Sequence, residues 1–317
     1  MEKLNLGEKL SSFIVPCYNE EQVLPIFRDS LCEQLAQLGV ENYEIIFVED
    51  GSKDGTLELL KKFASEDARV KYISLSRNFG KEGAMLAGLR AARGDYVAIM
   101  DADMQDPPSL LPQMYEALLR ENFDCAACKR ADRSGESFFK TFLIKAFYKT
   151  INALSQVKLV ADARDFRLMT RQVADAILSM PENTRFTKGI YEWVGFKTKW
   201  ISFSSVKRAA GTSKWSLLKL FFYALDGISA FSTIPLAMAS VFGVALLLIS
   251  IAAALALLIG AAAGGGGLGW GFALCAIGFI GALQLICLGI IGHYLAKIYA
   301  EATRRPLYII RESNIGR

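Results

Sequence analysis

The chain has 317 residues, a formal net charge of +4 and a hydrophobic share of 52%, with a mean hydropathy of +0.28. That hydropathy is high for a purely soluble protein, and the excess is local: Ile234 to Ala296 carries almost no charge, whereas the residues before Gly211 read as ordinary soluble sequence. So small a positive charge, gathered only beside the apolar region, sets nucleic acid aside as a partner and suits an anionic lipid surface.

Ser11 to Pro16 is a short apolar strand ending in Cys17-Tyr-Asn-Glu-Glu21, after which Val23, Leu24, Phe27, Leu31, Leu35 and Leu38 recur at helical spacing. The unit repeats. Tyr43 to Val48 predicts a strand ending in Glu49-Asp-Gly-Ser52, with Asp54 as N-cap and Leu57, Leu60 and Phe63 marking the next helix. Val70 to Leu75 predicts a third strand ending in Ser76-Arg-Asn-Phe-Gly-Lys81, followed by a helix of small residues from Ala84 to Ala92. A fourth strand, Tyr96 to Met100, runs into Asp101-Ala-Asp-Met-Gln-Asp-Pro-Pro108. Strands alternating with helices at this spacing predict an α/β fold with a mostly parallel sheet, helices on both faces, and polar functional groups at the carboxyl ends of the strands.

Those strand ends carry Asn19 and Glu20, Asp50, Asn78, and Asp101 with Asp103, which together favour a nucleotide site. The Gly-x-x-x-x-Gly-Lys-Ser/Thr loop and a Gly-x-Gly-x-x-Gly after the first strand are both missing, which argues against a P-loop nucleotidase and a dinucleotide oxidoreductase. A diphosphate is then to be held through a divalent metal, Mg2+ or Mn2+, on Asp101 and Asp103. Six cysteines show no disulfide-framework spacing. Cys125-Ala-Ala-Cys128 has redox or half-zinc spacing but sits in a buried strand without a second pair nearby, so a reducing, cytosol-facing domain is expected.

Pro16-Cys-Tyr-Asn-Glu-Glu21, Val48-Glu-Asp-Gly-Ser52, Arg77-Asn-Phe-Gly-Lys-Glu82 and Asp101-Ala-Asp-Met-Gln-Asp-Pro-Pro108 resemble, in order and spacing, the motifs of the GT-A family 2 glycosyltransferases. Within that family the chain is similar to the polyprenyl-phosphate branch, which includes bactoprenol glucosyltransferase and dolichol-phosphate mannose synthase. The resemblance implies a Rossmann-like GT-A fold and a nucleotide-sugar site built from Pro16, Tyr18, Asn19, Glu20, Asp50, Ser52, Asn78, Lys81, Asp101, Ala102 and Asp103. It implies a nucleotide-diphosphate sugar as donor, UDP-glucose first among them, and a polyprenyl phosphate, undecaprenyl phosphate, as acceptor. Asp162-Ala-Arg-Asp165-Phe-Arg167 resembles the family's Asp-x-Gly-Asp-Phe-Arg segment, making Asp165 the first choice for the catalytic carboxylate and Asp162 the second, with Arg167 on the acceptor side. Arg164 stands where that segment usually has glycine, which bears on the local turn.

Arg130 and Arg133, in the loop after a fifth strand from Phe123, either clamp phosphate oxygens or line a solvated surface, and the resemblance favours the clamp. Phe138 to Leu154 is a basic amphipathic stretch that fits either a lipid headgroup surface or the face of the sheet. Trp193 stacks on a sugar, lines a lipid entrance or belongs to the core. After a last strand, Thr198 to Phe203, the segment Lys207-Arg208-Ala-Ala-Gly-Thr-Ser213-Lys214-Trp215 places three cations beside a glycine, to meet a lipid phosphate or to mark a juxtamembrane positive stop.

The organisation expected is a cytosolic catalytic domain over residues 1–212, an interfacial amphipathic helix over 213–232, two transmembrane helices over 233–297 and a cytosolic tail over 298–317. The spans, Ile234 to Ala263 and Leu268 to Ala296, exceed the ~20 apolar residues a crossing needs. Lysines and arginines before and after the pair direct both ends to the cytosol, and no cleavable signal is read in Met1 to Leu10. Small residues in both spans permit close helix contacts, hence a homo-oligomer. His293, with no companion ligand in the sequence, reads as a polar interface residue, and Arg305 to Ile310 as an extended segment returning to the soluble domain. The function expected is inverting, metal-dependent transfer of a sugar to a polyprenyl phosphate at the cytosolic face of the membrane. A processive polysaccharide synthase shares the fold but carries a Gln-x-x-Arg-Trp segment that is absent here; a scaffold that had lost catalysis would not need the Asp101, Asp103 and Asp165 carboxylates.

Overall fold

A computed structural model describes residues 8–131, 152, 157–180, 182–183, 185–203, 232, 234–262 and 270–316. The alternating pattern forms as read: β1 (Ser11–Cys17), α1 (Leu24–Leu38), β2 (Tyr43–Glu49), α2 (Thr56–Glu66), β3 (Val70–Leu75), α3 (Lys81–Ala91) and β4 (Tyr96–Ile99). A 3-10 turn at Pro108–Leu110 leads into α4 (Leu111–Leu119) and β5 (Cys125–Arg130). Then follow β6 (Ala163–Thr170), α5 (Arg171–Leu178), α6 (Thr187–Trp193) and β7 (Thr198–Phe203), and after them α7 (Ile234–Ala262), α8 (Trp270–Ala302) and β8 (Ile310–Ser313).

All of these strands join one eight-stranded sheet in the order β7-β5-β6-β4-β1-β2-β3-β8. Strands β3, β2, β1 and β4 run parallel, so the chain reverses direction of winding on either side of β1. Such a switch point leaves a crevice at the carboxyl ends of the flanking strands. Beyond β4 the sheet is mixed: β6 runs antiparallel to both β4 and β5, and β7 is parallel to β5.

Strand alternation splits the core into two layers. Phe13, Val15, Phe47, Phe166 and Leu168 face α1, α2 and α4, which supply Phe27, Leu31, Leu60, Phe63, Met114 and Tyr115. Ile14, Ile46, Val48, Ile99 and Met169 face α3, α5 and α6, with Met85, Leu89, Val173, Ile177 and Ile190. Helix α3 lies close because Gly88 has no side chain; a Cβ there would stand 2.3 Å from Cγ2 of Ile14. Cys125 and Cys128 are free thiols buried in β5, as the apolar surroundings of that strand suggested.

Helices α7 and α8 contain windows of mean hydropathy 2.5 and 1.9, and neither window is buried. Large apolar side chains such as Val241, Leu247, Leu285 and Leu295 stand open. Both helices are long and apolar enough to cross a membrane, and their exposure separates them from the core helices of a soluble protein. Helix α8 continues through Lys297 to Ala302, past the Ala296 limit read from hydropathy, because helix geometry does not end where the apolar run does. The tail does return to the sheet: β8 pairs antiparallel with β3, Ser76 N–H donates to the Ile309 carbonyl at 2.9 Å, and Tyr72 N–H donates to Asn314 Oδ1 at 2.7 Å. The expected segments at 138–154 and 213–232 and the linker at 264–267 lie outside the described residues, apart from residues 152 and 232.

Candidate active site

The loops after β1, β2 and β3 are laced into one rim. Asn19 sits in the left-handed region (φ 55°) and its N–H donates to Ser52 Oγ at 3.0 Å, while Lys53 N–H donates to Asn19 Oδ1 at 2.8 Å. Glu20 N–H donates to Thr56 Oγ1, and Gly55 N–H to Glu21 Oε2, each at 3.0 Å. Asp54 accepts from Thr56 N–H at 3.2 Å and so caps α2 from one residue further out than a usual N-cap. Asp50 is buried, and its two carboxylate oxygens accept from Phe79 N–H at 2.7 Å and Gly80 N–H at 2.9 Å. Its pKa is raised because burial outweighs those two hydrogen bonds. Gly51 (φ 68°) lies so close to the 77–78 backbone that a Cβ would fall 2.5 Å from Arg77 C and Asn78 N. Tyr18 is exposed and Pro16 half-buried at the end of β1; Arg77 stacks on the Phe79 ring, and Asn78 stands exposed beside it.

The centre of the crevice is where β4 meets β6. Ile99 pairs with Arg167, so the antiparallel register carries Asp165 toward Asp101. Lys81, the first residue of α3, closes the gap: its Nζ lies 2.6 Å from Asp101 Oδ1, 2.9 Å from Asp101 Oδ2 and 2.5 Å from Asp165 Oδ2. Desolvation works against the ammonium, but the Asp101 and Asp165 carboxylates hold its pKa well above the usual lysine value. Burial raises the Asp165 pKa, and the Lys81 and Lys188 charges overcome it, keeping the carboxyl well below its ordinary range and ionised.

Ala102 turns into the core, leaving Asp101 and Asp103 on either side of it in the loop, and Asp103 Oδ1 accepts from Gln105 N–H at 3.1 Å. The loop is tied down by a pair that the sequence left without a role. Asp106 is fully buried and accepts from Arg164 Nε at 2.9 and 3.1 Å, while Arg164 also reaches Gln105 Oε1 at 3.1 Å. Burial pushes the Asp106 carboxyl up to about 6 despite the guanidinium beside it. Arg164 is therefore a strand residue, and the left-handed turn falls at Asp162 (φ 61°) instead.

On the other side of Asp165, Glu82 accepts from the hydroxyl and N–H of Thr187, fixing the start of α6 against α3. Lys188 Nζ donates to the Ala163 carbonyl at 3.0 Å. Arg167 is buried with its guanidinium over the Tyr191 ring, so it lies beneath the crevice rather than in its mouth. Trp193 is 58% exposed, which removes the core alternative for it. Arg130 ends β5, half-exposed, and its N–H donates to the Asp162 carbonyl at 3.2 Å. Arg133, Arg208, Ser213 and Lys214 lie outside the described residues. Lys188, Glu82 and the Asp106–Arg164 pair are site residues to which sequence reading gave no role, although Glu82 and Asp106 lie within the motifs that carry the family resemblance and Arg164 stands out as an arginine in place of glycine.

Among the described residues there is no group of three or more His, Cys, Asp or Glu side chains that could hold a metal ion alone. Two carboxylates in a loop fit a different donor set, in which the rest of the coordination comes from diphosphate oxygens and water, as suits Mg2+ or Mn2+.

A mixed α/β sheet with an Asp-x-Asp loop after a central strand and a further carboxylate beside it on the neighbouring strand defines a class, and the sequence comparisons agree with it. Residues 12–178 match the family described as glycosyl transferase family 2, and the chain belongs to that family and is a glycosyltransferase. The SfII prophage-derived bactoprenol glucosyl transferase of Shigella flexneri is 38% identical over 306 residues, covering 96% of this chain and 98% of that one. The uncharacterized glycosyltransferase sll0501 of Synechocystis sp. (strain ATCC 27184 / PCC 6803 / Kazusa) is 41% identical over 302 residues, covering 95% of this chain and 94% of that one. Similarity of that extent takes in the C-terminal helices as well as the sheet. Among solved structures, the glucosyl-3-phosphoglycerate synthase from Mycobacterium tuberculosis in complex with Mn2+, UDP and phosphoglyceric acid is 20% identical with a TM-score of 0.49, covering 71% of this chain and 78% of that one. A likeness so distant bears on neither ligand nor activity.

Proposed function

We propose that this protein transfers glucose from UDP-glucose to undecaprenyl phosphate at the cytosolic face of the membrane, with inversion and with a divalent metal. The observation that carries the reading is the meeting of Asp101 and Asp165 across Lys81, at the edge of a chain whose α7 and α8 are built to enter a bilayer. Relatives named bactoprenol glucosyl transferase support the lipid acceptor and the sugar.

A lipid phosphomonoester has a second pKa near about 6, so at neutral pH it is already an anionic nucleophile and needs little general-base help. The protein's work is to position the phosphate oxygen behind the sugar carbon and to steady the departing diphosphate. Asp101 and Asp103 would hold Mg2+ or Mn2+, which when bound supplies Lewis-acid stabilisation of that diphosphate. Lys81 and Arg130 add fixed positive charge on the same side, and Arg133 is assigned there with them. Asp165, kept ionised by Lys81 and Lys188, orients the acceptor or balances positive charge growing at the sugar carbon. Asp50 serves the donor indirectly, since both its oxygens hold the 79–80 backbone that presents Lys81. Arg208, Ser213 and Lys214, which lead into the membrane segment, are assigned to the acceptor phosphate, and Trp193 to the sugar or the lipid entrance.

The test is transfer of radiolabel from UDP-glucose to undecaprenyl phosphate by the purified full-length protein in detergent, followed into the organic phase. Asp103→Asn is expected to abolish both transfer and metal-dependent donor binding. Label that stays in the aqueous phase with every UDP- and GDP-sugar offered would sink the acceptor assignment, and unchanged turnover in Asp103→Asn the metal assignment.

A further inference from the structure

One ammonium engages both oxygens of Asp101, at 2.6 and 2.9 Å, and reaches across to Asp165 at 2.5 Å. Both carboxylates are largely covered, at 21% and 17% exposure, so bulk water screens them only in part. The lysine does not arrive there by chance of rotamer. Its backbone is the first turn of α3, Gly80 before it takes a φ of 88°, and the Gly80 N–H is pinned by Asp50. The rim therefore aims Lys81 at both oxygens of Asp101, the atoms through which that residue would hold a divalent cation.

The geometry points to Lys81 as a positioning residue that fills the cation site of Asp101 until the donor arrives, so that metal enters with the nucleotide diphosphate and not before it. This rests on the proposed metal role of Asp101 and Asp103. The physical ground is competition for one ligand. A divalent ion at Asp101 and an ammonium within a few ångströms of it repel, and the ammonium already supplies the charge that Asp101 and Asp165 need to coexist. A diphosphate changes the balance, because its oxygens give the ammonium another anion to pair with and complete the coordination of the metal. Two benefits follow for the chain: the free site stays neutral enough to hold two carboxylates together, and it does not capture divalent ions unproductively.

The test is Mn2+ binding to the full-length protein in detergent, read by electron paramagnetic resonance with neither donor nor acceptor, and repeated with UDP. The wild-type protein is expected to bind Mn2+ weakly alone and more tightly with UDP. Lys81→Met is expected to bind Mn2+ without UDP at least about tenfold more tightly than wild type, while losing transfer activity. Lys81→Arg keeps the charge and is expected to keep the weak Mn2+ affinity, and Asp101→Asn in the Lys81→Met background to remove the gain. Melting curves establish that each variant is folded, and Lys81→Arg against Lys81→Met separates charge from packing. Equal Mn2+ affinities for wild type and Lys81→Met, with transfer still metal-dependent, would overturn the ordering alone. Transfer that survives complete chelation would overturn the metal reading and this inference together.

Discussion

Replacing Arg164 with methionine removes the charged partner of a fully buried carboxylate while keeping an unbranched side chain of some length in the strand. Severing a buried ion pair commonly costs about 3–5 kcal/mol. Here the loss is capped, because Asp106 has an alternative. Its carboxyl sits at about 6 with Arg164 in place, so at pH 7 the ionised form is preferred over the protonated one by only about 1.4 kcal/mol. Without the guanidinium Asp106 takes up a proton, and the electrostatic loss stops near that figure. The sign follows from the direction of the shift. A carboxylate whose pKa is raised on folding, from 3.8 to about 6, contributes stability that is present below the lower value and lost as pH rises through the higher. Arg164→Met raises the folded value further, so the two proteins diverge above pH about 6 and converge at pH 5. Chemical denaturation of both in detergent with chelator, at pH 5 and pH 7, should show a difference of about 1–2 kcal/mol at pH 7 and little at pH 5. An equal loss at both pH values, or none at either, would refute the account of Asp106.

Two further substitutions probe the site and its rim. Asp165→Asn is isosteric and keeps the strand register, and it should lower kcat by about 100-fold or more with a small change in donor KM; steady-state transfer kinetics decide it, and a near-normal kcat would move the role to Asp162. Gly51→Ala forces a side chain into a left-handed position with backbone atoms 2.5 Å away, neither of which can rotate aside. A destabilisation of about 1–3 kcal/mol and a raised donor KM are expected, since the displaced 77–80 segment carries Lys81; an unchanged melting temperature with normal KM would show that the two loops are not interlocked.

How much of this was legible in the sequence follows from how local each signal is. The first four strands end where polar residues interrupt apolar runs, and their helices show in the spacing of Leu24, Phe27, Leu31 and Leu35. Strand β6 hides because Arg164, Asp165 and Arg167 put charge on both of its faces. That charge is tolerable only since Asp106 meets Arg164 on one face while Lys81 and Tyr191 meet Asp165 and Arg167 on the other. No period of two survives such a pattern, so the antiparallel pairs that β6 makes with β4 and β5 do not show in the sequence, while most other pairings of the sheet are parallel as expected.

By itself, then, the sequence determined the α/β alternation, the Asp-x-Asp loop at a strand end, the family resemblance and the apolar C-terminal helices, all properties of residues near one another in the chain. Tertiary structure alone decided that Asp165 meets Asp101, because an antiparallel register joins residues 64 positions apart, and that Lys81 lies between them. It showed equally that Asp50, Asn19 and Ser52 hydrogen-bond the loops of the rim to one another. A carboxylate written in sequence is only a charge, and its partners in the fold determine whether it binds, positions or stays buried against a guanidinium.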